Sequence, residues 1–306
     1  MIRDIQDKIL KLKNEKDVLI LAHSYQAREI LEIADKTGDS FQLSLDAASA
    51  TAQNILLCGV HFMAESAKIL SPDKNVFLSH KNAGCPMAEQ FSPAEILALK
   101  EREPDRAVAA YVNTTAELKA VSDVCVTSST AVKIVERMDS DKILFIPDGN
   151  LGAYVKKRVN KDVMLLSGCC PVHDEVTPAD LQTAREQYPN AQVLVHPECP
   201  TEVTENADFI GATSHIIDYA RKSEHTEFII GTELAIMSYL QYECPDKRFS
   251  PLTKNLICPD MRLTTLPDVL CAVEGIGDGK AFEVVVEEKI RVAAEKAIRE
   301  MIRLGS

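Results

Sequence analysis

Apolar residues fall into two alternating patterns along this chain. Unbroken short runs such as VLILAH (18–23), AVAAYV (107–112) and QVLVH (192–196) read as buried strands. Each is followed by a stretch with helical spacing and then by another apolar run, NILLCGV, KILFIPD or EFIIGTE. Strands and helices in alternation predict an α/β fold. The three strand–helix–strand passages also invite a search for an internal repeat.

A repeat is present at offsets of +88 and then +85. His23-Ser24-Tyr25 falls on Tyr111-Val112-Asn113 and on His196-Pro197-Glu198. Asp35 falls on Asp123 and Asp208, and Ser40 on Ser128 and Thr213. The second apolar runs align at the same offsets without a gap. The chain therefore divides into α/β repeats over 1–84, 85–169 and 170–258, with a C-terminal extension over 259–306. The charged, helix-patterned KIRVAAEKAIREMIRL predicts a solvated helix over 283–304, expected to pack on the first repeat. Three similar units are expected to sit around a pseudo-threefold axis.

Composition narrows the field. The formal charge is −12 over 306 residues, which disfavours a nucleic-acid or anionic-membrane binder. No apolar run approaches the roughly 18 residues of a membrane span. The charged N-terminus MIRDIQDKILKLKNEKD lacks the apolar core of a signal peptide, so a cytoplasmic protein is expected. An odd count of nine cysteines in a reducing compartment argues against a disulfide framework. Cys58 and Cys125 lie in strand-like runs and read as buried hydrophobes.

The repeat separates the remaining thiols. Cys85 plus the first-to-third offset of 173 is Cys258, and each precedes a proline. Cys170-Pro171 misses the corresponding position by three residues, a small loop deletion. Cys199-Pro200 and Cys244-Pro245 find no cysteine at either offset. Three thiolates converging on one axis could hold zinc or an iron–sulfur cluster. The absence of CxxC pairs and of a fourth ligand favours the cluster, with one iron open as a Lewis acid.

The other repeat positions lie at strand ends, where α/β folds bind ligands. His23, Tyr111 and His196 form one set, and Tyr25, Asn113 and Glu198 another; all can hydrogen-bond or move protons. Ser40, Ser128 and Thr213 precede helical stretches, where a hydroxyl serves either as a plain cap or, with the free N–H groups, as an anion holder. His173 follows Cys170 closely enough to contact a ligand there. His61 and His80 have no repeat support and read as structural.

Taken together, LAHSYQ, the GDS at 38–40, AGCPMAE, YVNTTAELKA, VTSSTA, PDGNLG, GCCPVH, VHPECP, IGTE and ICPDM resemble the quinolinate synthase (NadA) family over nearly the whole chain. The resemblance implies three α/β domains around a central [4Fe–4S] cluster. It implies condensation of iminoaspartate with dihydroxyacetone phosphate to quinolinate, phosphate and water, in NAD biosynthesis. Cys85, Cys170 and Cys258 would be the cluster ligands. Tyr25, His196 and Glu198 would be acid–base groups, with His23 and Tyr111 in the same cavity. Ser40, Asn113, Ser128, Thr213 and His173 would bind substrate. An L-aspartate oxidase or aspartate dehydrogenase would supply the iminoaspartate. The doublet Cys169-Cys170 departs from the family pattern, and the position next to proline favours Cys170. Two other classes fit a three-cysteine layout: a diphthamide-type radical enzyme, and a non-catalytic iron–sulfur sensor. The sensor would not need proton-bearing groups at every strand end.

Overall fold

The computed structural model describes residues 1–305. It contains three sheets. The first is built from β1 (Val18–His23), β2 (Lys36–Gly38), β3 (Asn54–Cys58) and β4 (Asn75–Leu78). The second holds β5 (Ala107–Tyr111), β6 (Val124–Val126), β7 (Lys142–Ile146) and β8 (Asp162–Leu165). The third holds β9 (Gln192–Val195), β10 (Phe209–Ile210), β11 (Glu227–Gly231) and β12 (Arg248–Pro251). In all three the parallel order is second, first, third, fourth. A short strand β13 (Phe282–Glu283) adds antiparallel to β4 in the first sheet.

The unbroken apolar runs follow from this layout. Helices on a parallel sheet bury both faces, so strands do not alternate. Ile20, Leu21, Ala22, Val193, Leu194 and Val195 are all fully buried.

The aspartate of the repeat has a structural task in every sheet. Asp35, Asp123 and Asp208 each accept the backbone N–H of a residue in the first strand, Ile20, Val108 and Val193, at 2.8, 2.7 and 2.7 Å. A basic residue of the preceding helix pairs with each: Lys13, Lys100 and Arg185.

The chain forms two compact units, Met1–Cys85 with Cys258–Glu295, and Pro86–Ile257 with the chain from Lys296. The first unit therefore draws on both ends of the sequence. Its core joins Ile9, Ile20, Ile30 and Leu56 to Leu266, Val269 and Val273 of the helix Leu266–Gly275. The second unit contains the second and third sheets. The C-terminal helix expected over 283–304 runs from Glu288 to Gly305, because Phe282–Glu283 is taken up as a strand. Its last carbonyls, of Leu304 and Gly305, accept from Arg137 and Lys133 of the second unit. Among the described residues no helix is long and apolar enough to cross a membrane.

Candidate functional site

Three loops share one construction. The chain turns after β3, β7 and β11, and the backbone N–H of the third residue past each strand reaches the loop after the fourth strand. His61, Gly149 and Leu234 donate to the carbonyls of Ala83, Gly168 and Leu256 at 2.8, 2.6 and 2.9 Å. Each acceptor stands two residues before a cysteine: Cys85, Cys170 and Cys258. Cys170 and Cys258 cap one-turn helices with closely similar backbone angles (φ −76°, ψ 115° and φ −83°, ψ 109°), each with proline at the first helical position. A turn also follows Cys85-Pro86.

Seven residues past each of these cysteines a capping box opens the next helix: Ser92 with Glu95, Thr177 with Asp180, and Thr265 with Asp268. The same count from Cys199 and Cys244 reaches Asn206 and Pro251. The three-residue deletion in the second repeat is also placed. Lys142 faces Asp162 one residue sooner than Asn54 faces Asn75 or Glu227 faces Arg248, and two more residues are lost between β8 and Cys170.

Burial divides the thiols similarly, except that Cys169 joins the half-buried set. Cys58, Cys125, Cys199 and Cys244 are buried and Cys271 is exposed, whereas Cys85, Cys169, Cys170 and Cys258 are half-buried. The adjacent pair diverges. Burial raises the Cys169 thiol to about 11, helped by the charge and hydrogen bonding of Asp174. Its backbone is gripped at both ends by Gln90, which donates to the Cys169 carbonyl and accepts its N–H. The Cys170 sulfur instead lies 3.2 Å from His173 Nδ1.

Within the second unit the ends of β5 and β9 bring proton-bearing groups together. Tyr111 is the last residue of β5, and His196 directly follows β9. Glu198 Oε2 lies 2.9 Å from His173 Nδ1 and 3.7 Å from His196 Nδ1. Tyr111 hydrogen-bonds to both Glu198 and Ser128. His173 Nε2 meets the Thr232 hydroxyl at 3.0 Å, and the His173 and His196 rings lie 5.1 Å apart. His196, Glu198, His173 and Tyr111 are each at most 5 % exposed, so these groups act in a low dielectric.

Burial sets the protonation states. It lowers the His196 imidazole to about 4, against the pull of Glu198, so this ring is neutral near pH 7. Burial would raise Glu198, but electrostatic interaction with the neighbouring imidazoles of His196 and His173 and hydrogen bonds from His173 and Tyr111 outweigh it and hold the carboxyl down, at about 2. The Tyr111 phenol is pushed well up by burial and then by Glu198, and remains a donor.

The first unit holds His23, Tyr25, Ser40, Cys85 and Cys258. The backbone N–H of Tyr25 donates to His23 Nδ1 at 3.1 Å, as that of Glu198 does to His196 Nδ1 at 3.3 Å. Both rings are thereby left with Nε2 as the outer atom. Tyr25 is half-buried and stands edge-on to His23, with centroids 4.5 Å apart. Gln26, next along, donates to the Met261 carbonyl in the Cys258 loop.

None of the three repeat residues stands at the N-cap of the helix that follows it. Asp39 caps the helix that begins at Ser40, Ala212 precedes the helix that begins at Thr213, and Thr130 stands at the cap position after Ser128. Asn113 is half-buried just past β5 in the second unit, and Thr213 is buried there.

Several contributors escaped the sequence reading. Asp148, fully buried, caps the helix Gly149–Lys156 through Leu151 N–H at 2.7 Å and also accepts the Cys170 N–H at 3.0 Å. Burial and then Glu198 hold its carboxyl well above the usual range, against its backbone hydrogen bonds. Thr232 orients His173, and Asn150 joins Asp174 at 2.7 Å to the Glu198 carbonyl at 3.1 Å. Asp148 and Asn150 lie in PDGN and Thr232 in IGTE. Both segments follow a strand at the repeat offset, and that position is the signal that could have singled them out.

A family model described as quinolinate synthetase A protein, NadA, matches residues 7–303. The chain belongs to the NadA family. A quinolinate synthase of Caldicellulosiruptor bescii is 47 % identical over 302 residues, covering 98 % of each chain. One from Dehalococcoides mccartyi strain CBDB1 is 45 % identical over 300 residues, again 98 % of each. One from Thermodesulfovibrio yellowstonii is 43 % identical over 307 residues, the full length of both. Membership in the NadA family makes the chain an enzyme of the quinolinate synthase type and disfavours the radical-enzyme and sensor readings. The α/β architecture with parallel sheets agrees with that assignment. Cys170, His173 and Glu198 also form a group able to hold a metal ion, with their ligand atoms within 4.8 Å of one another.

Proposed function

We propose that this enzyme condenses iminoaspartate with dihydroxyacetone phosphate to quinolinate, phosphate and water. We propose further that three α/β domains in pseudo-threefold arrangement hold a [4Fe–4S] cluster through Cys85, Cys170 and Cys258. The observation carrying this reading is the shared build of the three Cys-Pro loops, with the same backbone tie before the cysteine and the same capping box after it. Half-buried thiols on proline-stiffened loops suit thiolate ligation. When bound, the cluster supplies an iron able to polarise a carbonyl or a departing hydroxyl.

The chain's own residues do the proton work. Glu198, ionised and fed by hydrogen bonds from Tyr111 and His173, accepts a proton at Oε2. Tyr111 stays a neutral phenol and donates. His196, neutral, presents Nε2 while its Nδ1 is held by the Glu198 amide. His23 and Tyr25 repeat that build in the first unit and serve the same chemistry. Ser40, Asn113, Ser128, Thr213 and His173 bind carboxylate, carbonyl or phosphate groups. That Ser40 and Ser128 leave the cap position of the following helix to Asp39 and Thr130 supports this reading for those two. Iminoaspartate comes from an L-aspartate oxidase or aspartate dehydrogenase.

The deciding experiment is an anaerobic assay of the reconstituted protein with iminoaspartate and the triose phosphate, reading quinolinate. Its formation, lost in Cys85→Ala, Cys170→Ala and Cys258→Ala alike, is the expected result. Turnover that survives loss of any one of the three overturns the ligand assignment.

A further inference from the structure

We propose that Cys170, His173 and Glu198 also form a mononuclear site for a zinc-class divalent ion, complete within the second unit and independent of Cys85 and Cys258. The ligand atoms already converge. His173 Nδ1 lies 3.2 Å from Cys170 Sγ and 2.9 Å from Glu198 Oε2, and all three donors fall within 4.8 Å of one another. A tetrahedral zinc with bonds of about 2.0–2.3 Å sets its donors roughly 3.3–3.6 Å apart. The contacts around Nδ1 need to open by only a few tenths of an ångström.

The donor chemistry selects the ion. One thiolate, one imidazole and one carboxylate, with a fourth position open, is a borderline-soft set that suits zinc better than magnesium or calcium. Three electron-rich donor atoms face one another here. A dication at their centre satisfies all three.

An independent observation is the support behind each ligand. Metal sites are built with hydrogen bonds that aim the ligating atoms. His173 Nε2 is held by the Thr232 hydroxyl at 3.0 Å, which turns Nδ1 toward the cysteine and the glutamate. Glu198 is held by Tyr111. The backbone of Cys170 is held by Asp148 at 3.0 Å. His173 and Glu198 are each only 4 % exposed, so both are fixed before any ion arrives.

The consequence is competition. Cys170 cannot serve this ion and a cluster at once, so a chain that meets zinc first is held out of cluster assembly. The binding claim rests on the second unit's geometry and not on the proposed reaction. A chain that binds the ion but makes no quinolinate overturns only that reaction.

The test is Co2+ titration of the full-length chain before cluster reconstitution. One equivalent should bind with a near-ultraviolet thiolate-to-cobalt band. The band should persist in the Cys85→Ser/Cys258→Ser double variant and vanish in Cys170→Ser. Affinity should fall at least about tenfold in His173→Gln and in Glu198→Gln. Loss of the band in the double variant, its survival in Cys170→Ser, or unchanged affinity in either of the other two overturns the proposal. Alkylation of the unsubstituted chain avoids any folding defect. Zn2+ should protect Cys170 and leave Cys85 and Cys258 reactive. Protection of all three, or of none, overturns the site.

Discussion

Glu198 is enclosed by groups that give hydrogen bonds to its carboxylate, and removing the charge should cost chemistry rather than fold. Glu198→Gln keeps the volume and much of the hydrogen bonding to Tyr111 and His173. It should lower quinolinate formation by about 10²-fold or more while leaving iron and sulfide content unchanged. Tyr25→Phe removes one half-buried hydroxyl and should do the same. The cysteine pair gives a sharper contrast. Cys169→Ala breaks a contact with Asp174, and Cys170→Ala removes the sulfur that faces His173. Iron per chain after anaerobic reconstitution should stay near normal in the first and collapse in the second. Thiol reactivity should follow burial: iodoacetamide at pH 8 should label Cys271 in the unfractionated native chain. It should spare Cys58 and Cys125, whose thiols burial pushes up to about 12. Peptide mass spectrometry reads both.

The Cys-Pro loop is the element on which the site depends, and its tolerance is low at Gly168. A Cβ there would stand 2.2 Å from the Pro147 carbonyl and 2.5 Å from Gln90 Oε1, with backbone on one side. Gly168→Ala should therefore displace the Cys169-Cys170 segment and release iron faster to a chelator. Thr177→Ala, which cuts the capping box after the loop, should cost about 1 kcal/mol of stability, read by thermal denaturation, with iron content kept. These loops also mark what could be read from sequence alone. The offsets that align Cys85 with Cys258 were legible because the strands before them recur without a gap; the Cys-Pro dipeptide alone also occurs at Cys199 and Cys244. The aspartates at 35, 123 and 208 were legible as a repeat but not as strand-end ties, since the N–H they accept lies fifteen residues earlier. Asp148 was hidden for a similar reason: its partner Cys170 is far along the chain, and its own segment reads as an ordinary turn before a helix. The start of the last helix was misjudged because Phe282–Glu283 gains a strand partner, Phe77–Leu78, that no local pattern announces.

At the scale of the molecule, the first unit is stitched from two distant segments, and its core cannot close with one of them. Leu266, Val269 and Val273 cover Ile9, Ile20 and Leu56. A chain ending at Ile257 should lose amide-exchange protection in β1 while β9, whose neighbours all lie within 86–257, keeps more of its own. Equal protection of the two strands in the shortened chain would show that the later segment is dispensable. The same stitching orders events on the ribosome. The N-terminal strands emerge first, yet the helix that covers them is translated only after the whole of 86–257. At about 5–20 residues per second that wait lasts roughly ten to thirty seconds. Through it the nascent chain presents Ile9 and Ile20 uncovered, so the demand for a chaperone falls on the part of the protein that was made first.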